Sequence, residues 1–255
     1  GTTEILKRVA GIQLITNKIN YGPAYCRNEA IKRSKGEVIL LIDSDCLIDD
    51  KNLISKHVLA HADPSIHILG GGVRGIGRGF IAKADDYSHW FLNIPYSGNK
   101  VGSHLTTNNM SVKKYVFEKL GYFNVQLRTG EDTDFCERAV KAGYKLGLRT
   151  DAVIQHHDRE KLQDFLKCFY LVGLDRIPTR RQERHRYWYL LPFDFFSSLV
   201  YCLPLSLLLT LQIVLAWLPY DKKVVLYFPF IFLGRLAMTI GIVRYYFLRL
   251  FRFKK

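Results

Sequence analysis

The chain has 255 residues, 48% of them hydrophobic and 24% charged, with a formal net charge of +14. That is enough apolar material for one substantial core plus an appendage, and it excludes a low-complexity or disordered chain. The excess of Lys and Arg suits an anionic partner; because it crowds around two apolar stretches near the C-terminus, it favours a membrane surface over nucleic acid. Five scattered cysteines, odd in number and without CxxC spacing, indicate neither a disulfide framework nor a zinc site and fit a reducing compartment.

In chain order, residues 1–10 read as a short amphipathic helix, with nothing resembling a signal peptide, and 11–16 as a short strand. Asn20-Tyr21-Gly22-Pro23 supplies cap and turn residues for a helix to about Ser34. Residues 37–42, EVILLI, have the pattern of a strand buried on both faces of a parallel sheet. A helix over 50–62, a strand over 67–70 and a flexible glycine-rich link over 70–79 are expected next. The link is not a phosphate loop, because strand, glycine spacing and helix N-terminus do not follow in the required order. A helix over 80–92, a loop over 93–103, a strand over 105–112, helices over 113–120 and 131–142, and two strands over 144–148 and 152–155 complete an alternating α/β, mostly parallel pattern.

Residues 199–218 carry no charge, and twenty residues at about 1.5 Å each match the roughly 30 Å of bilayer hydrocarbon. The stretch 224–243 is similar but holds Arg235, which must find a partner or snorkel. The two predict a transmembrane hairpin or a pair of interfacial helices, the latter more tolerant of Pro204, Pro229 and Arg235. Arg180, Arg181, Arg184 and Arg186 before the pair, and Arg244, Arg249, Arg252, Lys254 and Lys255 after it, favour a cytoplasmic location for both ends and for the preceding domain. Tyr187, Trp188 and Tyr189 beside the first stretch suit an interfacial belt.

Chemistry concentrates at Asp43-Ser44-Asp45, directly after the buried strand. Two carboxylates beyond the carboxyl end of a strand can hold a hard divalent cation. On the helix starting at Glu131, a wheel puts Phe135, Cys136, Ala139 and Val140 on one face with Asp132 near its centre, and Asp134 opposite or at the margin. An inward carboxylate suits a general base; the same acids equally suit the positive end of the helix dipole, and pattern alone leaves both open. His156 and His157, after a strand, are either ligands of a metal or phosphate or ordinary residues of surface and core.

Together these pieces resemble the family 2 glycosyltransferases with the GT-A fold. The family string N-x-G-x-x-x-A-R-N is matched by Asn20 to Asn28, with Cys26 where alanine is usual. Thr107-Asn108-Asn109-Met110-Ser111-Val112 looks like the acceptor-side segment, Gly121-Tyr122-Phe123 like G-x-F, and Gly130-Glu131-Asp132-Thr133-Asp134 like G-E-D-x-D. The resemblance implies a Rossmann-like GT-A domain over 1–160 lacking its first βα unit, an amphipathic basic linker helix over 161–190, and a membrane hairpin with a basic tail over 191–255. It implies Asp45, with Asp43, as ligands of Mg or Mn, and one of His156 and His157 as a late ligand. Arg27, Asp43 and Asn20 would bind the nucleotide diphosphate sugar, Asn108 and Asn109 would lie on the acceptor side, and Asp132, assisted by Glu131, would be the base. The expected reaction is a single inverting displacement onto an acceptor hydroxyl, with the membrane anchor pointing to a lipid-linked acceptor. The stretch from Gln182 to Trp188 misses the Q-x-x-R-W spacing of processive synthases by one residue, favouring single addition. Competing expectations are a catalytically silent membrane-associated binding protein and a metal-dependent phosphodiesterase or nucleotidyltransferase.

Overall fold

The structure, a computed structural model, describes residues 1–102, 104–182 and 192–252, without the side chains of 176–182 and 251–252. The side chains of Arg180, Arg181 and Arg252, residues Arg184 and Arg186, the aromatic trio at 187–189, the synthase-like stretch and the tail lysines lie outside that description. In chain order the elements are α1 (Thr2–Leu6), α2 (Pro23–Arg33), β1 (Val38–Ile42), β2 (Cys46–Leu47), α3 (Leu53–His61), β3 (Ile66–Ile76), α4 (Gly79–Trp90) and β4 (Lys100–Val101). They continue with β5 (Asn109–Lys113), α5 (Lys114–Leu120), α6 (Glu131–Lys141), β6 (Lys145–His157), α7 (Leu162–Gln182), α8 (Phe195–Trp217), a 3-10 turn (Lys222–Tyr227) and α9 (Phe228–Arg252).

The sheet runs β1-β5-β3-β6-β2, with β4 also on β6. It is mixed, not mostly parallel: β3 and β6 are parallel, while β5 runs antiparallel to both β1 and β3. β1 therefore points the same way as β3 and β6, and the carboxyl ends of β1 and β6 share one edge of the sheet. Among the described residues β1 pairs with β5 alone, and its burial alternates instead of being complete on both faces. Residues 11–16 form no strand; Leu14 and Ile15 are only half-buried and find no ladder partner.

The glycine-rich segment is the largest departure from expectation. Gly70, Gly71, Gly72 and Gly75 belong to β3, a central strand of eleven residues. A side chain at Gly71 would collide with Asn109 and the Ala152 carbonyl, and one at Gly75 with Asp86 and Asp158. Glycine here lets neighbouring groups approach the sheet backbone, which is packing and not flexibility. The two strands expected after residue 143 are one strand, β6, whose pairing with β3 shifts register between Gly71 and Gly72.

One core packs α2, α5 and α6 on the sheet through Ile31, Ile68, Met110, Val112, Phe117, Phe123, Phe135 and Leu146. A second joins the sheet and α4 to the C-terminal helices: Val73, Tyr87, Trp90 and Ile154 pack with Ile213, Trp217, Val224 and Ile231. Phe195–Trp217 and Lys222–Leu250 are long and apolar enough to cross a membrane by length and composition. Arg235 has found partners: it is 6% exposed, donates to the Ser88 carbonyl and lies 4.6 Å from the Phe169 ring centroid.

Candidate active site at the carboxyl edge of the sheet

Gly22, at φ 84°, turns the chain into α2, and the Asn20 carboxamide oxygen holds that turn by accepting from the Gly22 amide at 2.8 Å. Pro23 then occupies the first turn, where its missing N–H costs nothing. Asn28 anchors the helix through a reciprocal pair with the Phe123 backbone, 2.8 and 3.0 Å. This fixes Arg27, whose guanidinium reaches Asp43 Oδ1 and Glu131 Oε1, both at 2.6 Å. Pro23, Cys26, Arg27, Ile42, Asp43, Ser44 and Asp45 line an open cleft of about 330 Å³.

Burial works against the charge of Arg27, but the hydrogen bonds and charges of Asp43 and Glu131 outweigh it and raise its pKa above the usual value. Burial, together with the neighbouring Asp132 charge, raises Glu131 above the ordinary carboxylate range despite Arg27. A single cation thus ties the acid turn after β1 to the first turn of α6, 104 residues apart from α2 in sequence at the Glu131 bond.

The second half of the site comes from β2. Pairing Cys46 with His156 folds the Asp43-Ser44-Asp45 turn back onto the end of β6, and the His157 amide donates to the Asp45 carbonyl at 3.0 Å. His156 Nε2 then lies 3.5 Å from Asp45 Oδ2. The two-residue strand period separates the two histidines: His156 is buried on the Asp45 side, and His157 is exposed on the other. Sequence reasoning missed Asp158, which the same period puts beside His156. Its carboxylate accepts from His156 Nδ1 at 3.1 Å and Trp90 Nε1 at 3.2 Å, and Trp90 meets the imidazole edge-on at 4.8 Å.

The helix wheel needs correcting. On α6 the buried residues are Glu131, Asp134, Phe135, Cys136 and Ala139; Val140 is half exposed, and Asp134 is buried in a 2.9 Å pair with Arg138. Asp132 is half-buried at the margin, one oxygen held by the Thr133 amide at 2.7 Å, with Thr133 also contacting His104 at 3.2 Å. The buried face is centred on Glu131, Phe135 and Ala139, spaced four apart, one residue earlier than the wheel placed it, which leaves Asp132 at its margin.

Other expected site residues are engaged elsewhere. Asn20 is exposed and belongs to the turn before α2. Asn109 is buried; its amide donates to the Gly72 and Ala152 carbonyls, and its oxygen pairs with His57. That side chain is spent on the sheet and is not open to an acceptor. Asn108 accepts from Thr106 at 2.6 Å, and its buried Nδ2 has no partner among the described residues.

No three His, Cys, Asp or Glu side chains converge as a metal site among the described residues. Asp45 and His156 Nε2, 3.5 Å apart, are oxygen and imidazole donors of the kind Mn accepts alongside a diphosphate and water, while one oxygen of Asp43 is engaged by Arg27.

Residues 1–121 match the family model described as Glycosyl transferase family 2. The chain is 26% identical over 208 residues to the glycosyltransferase AglE of Haloferax volcanii, covering 76% of this chain and 67% of that protein. It is 21% identical over 216 residues to a dolichyl N-acetyl-alpha-D-glucosaminyl phosphate 3-beta-D-2,3-diacetamido-2,3-dideoxy-beta-D-glucuronosyltransferase of Methanococcus voltae, covering 79% and 65%. Among solved structures, the mannosyltransferase PcManGT of Pyrobaculum calidifontis, in complex with GDP-Man and Mn2+, superposes with a TM-score of 0.53 at 15% identity, covering 91% of this chain and 69% of the other. The fold and its acid-lined edge define a GT-A-like α/β domain followed by two long apolar helices. Over residues 1–121, just under half of its length, the chain is similar to the family 2 glycosyltransferases. It spans about two thirds or less of the length of the curated relatives it matches.

Proposed function

We propose that this protein transfers one sugar from a nucleotide diphosphate sugar to an acceptor hydroxyl, with inversion, at a membrane. The observation that carries the reading is the double ion pair of Arg27, which draws the nucleotide-side acid Asp43 and the base-side acid Glu131 to one guanidinium. Sugar transfer needs those two chemistries within one substrate length.

In this reading Asp45, Asp43 and His156 would hold Mg or Mn, which would supply positive charge to offset the negative charge gathering on the departing diphosphate. Asp158 faces His156 Nδ1, so that Nε2 would be the nitrogen available to such an ion. Asp132 accepts the proton of the acceptor hydroxyl as its oxygen forms the new bond to the anomeric carbon and the bond to the diphosphate oxygen breaks. Glu131, fixed by Arg27, supports the start of α6 beside that base. The Methanococcus relative is named for a dolichyl phosphate-linked sugar acceptor, and together with the apolar helices this favours a lipid-linked acceptor here. The expected site of action is the cell membrane with the catalytic domain facing the cytoplasm.

Titration of a nucleoside diphosphate with and without Mn, followed by product analysis with candidate donors, tests the reading. Metal-linked binding and release of nucleoside diphosphate are expected. Binding indifferent to metal would point to a silent scaffold, and release of nucleoside monophosphate to a phosphodiesterase or nucleotidyltransferase; either result overturns the proposal.

A further inference from the structure

α8 has its polarity reversed for a helix in water. Up to Thr210 its buried face carries Ser198, Ser206 and Thr210, each almost wholly covered, while Ile213, Val214 and Trp217 near its end pack on the domain core; Leu199, Val200, Leu203, Leu207, Leu208, Leu211 and Leu215 are exposed. The inner hydroxyls are satisfied within the helix pair: Ser206 reaches the Cys202 carbonyl at 2.6 Å and Thr239 at 2.8 Å, and Thr210 the Ser206 carbonyl at 2.7 Å. Small polar residues inside and leucines outside is the arrangement of a helix whose solvent is hydrocarbon.

The chain path decides how that solvent is met. The C-terminal end of α8 is fastened to the catalytic domain: Trp217 donates to the Tyr87 carbonyl at 3.0 Å, the Tyr87 hydroxyl donates to Asp221, and Lys83 lies 3.9 Å from Asp221. The turn between α8 and α9 is therefore on the domain's side of any bilayer. For α8 to cross, its start would have to be on the far side, and the chain reaches that start through α7 and residues 183–191. α7 contains Asp164, Lys167, Asp175, Arg176, Arg180 and Arg181, and 183–191 contain Glu183, Arg184 and Arg186, so neither offers an apolar run able to span. α7 lies along the domain, with Asp175 accepting from Thr129 at 3.4 Å just before α6. It also packs closely against α9, where side chains at Gly173 or Gly241 would strike the partner backbone.

We propose that α8 and α9 lie within one leaflet without crossing it, their outer face in lipid, with the catalytic domain, the α8 start and the α8–α9 turn all on the same side. The charge agrees with an anionic headgroup layer: between Phe195 and Arg252 the one acid is Asp221, already bonded to Tyr87, while Lys222, Lys223 and Arg244 are exposed near the two ends of the pair. Because α7 passes Thr129, immediately before Glu131 and Asp132, this arrangement brings the base side of the candidate site close to the lipid surface. The inference rests on the helices alone and stands apart from the sugar-transfer reading.

The full chain, added to preformed vesicles containing anionic lipid, tests it without any activity readout. The protein is expected to float with the vesicles, and a Leu203→Glu/Leu207→Glu double variant, with an unchanged melting profile, to lose at least ten-fold in partitioning. Arg186→Cys and Lys222→Cys, mapped peptide by peptide, should react with an impermeant maleimide equally with and without detergent, as should Lys51→Cys on the domain surface. Labelling at 186 only after detergent would establish a spanning α8 and overturn the proposal. So would wild-type protein that ignores vesicles, whether it remains monomeric in water or self-associates through this face; both readouts of the wild-type chain are independent of how the variants fold.

Discussion

Arg27 holds two acids that belong to different halves of the site, and its removal leaves the buried Glu131 and the half-buried Asp43 without that cation. Hydrogen bonds to charged groups contribute about 1.5–3 kcal/mol, so Arg27→Met should lower thermal stability by that order. Arg27→Lys keeps the charge but cannot fork to Asp43 and Glu131 together, and calorimetry of the two variants should show only partial recovery. Asp132→Asn should reduce turnover by about 100- to 10,000-fold, the range of a positioned general base, while nucleotide affinity stays unchanged. Asp45→Ala should do the reverse in part, abolishing the Mn dependence of nucleoside diphosphate binding. His57 makes a different kind of prediction. It is 1% exposed, bonded to Ser111 at 2.7 Å and Asn109 at 3.0 Å, and burial pushes its pKa down to about 4. Folded, it stays neutral where the unfolded chain takes up a proton, so its contribution is complete above about pH 6.5 and is lost as pH falls toward 4. At about 1.36 kcal/mol per pH unit the window spans about 3 kcal/mol. Melting temperature should fall through that window, and less steeply in His57→Asn.

At the scale of elements, β3 shows why glycines in a sheet deserve a packing explanation. Gly75 leaves room for Asp86, whose carboxylate accepts from the Gly75 amide at 2.9 Å, and for Asp158 behind His156. Gly75→Ala would press a methyl into both carboxylates; overpacking of this sort costs about 1–3 kcal/mol and would push Asp158 away from His156. A lowered melting temperature together with weakened Mn-linked binding checks this, since a purely structural glycine would give only the first. Two-residue β2 has influence beyond its length, because pairing Cys46 with His156 is what folds the acid turn toward the histidine.

In the whole molecule the catalytic domain and the C-terminal helices share a core, so the apolar pair is not a detachable anchor. Tyr87 stacks edge-on against Trp217 at 5.2 Å and Tyr227 at 5.3 Å, and Arg235 reaches back to the α4 backbone. Deleting 192–255 would expose Val73, Trp90 and Ile154; the remaining domain should aggregate or melt markedly lower, as size-exclusion chromatography and calorimetry would show.

The order of residues alone placed most helices, the acid turn after β1, the Asn20 to Asn28 string and the presence of two long apolar helices, since these depend on local capping, period and composition. Sequence order also singled out Asp43, Asp45 and Asp132, with Glu131 in support, as candidates for the chemistry. Partner-dependent features were not legible in it. Whether 11–16 finds a ladder, whether glycines over 70–79 bend or pair, and which histidine turns toward Asp45 depend on strands distant in the chain. The antiparallel insertion of β5 between β1 and β3, the bridge from Arg27 to Glu131, and the attachment of the α8–α9 turn to Tyr87 are likewise contacts between separated segments. Their energy comes from groups that no local pattern brings together, and only the folded chain decides them.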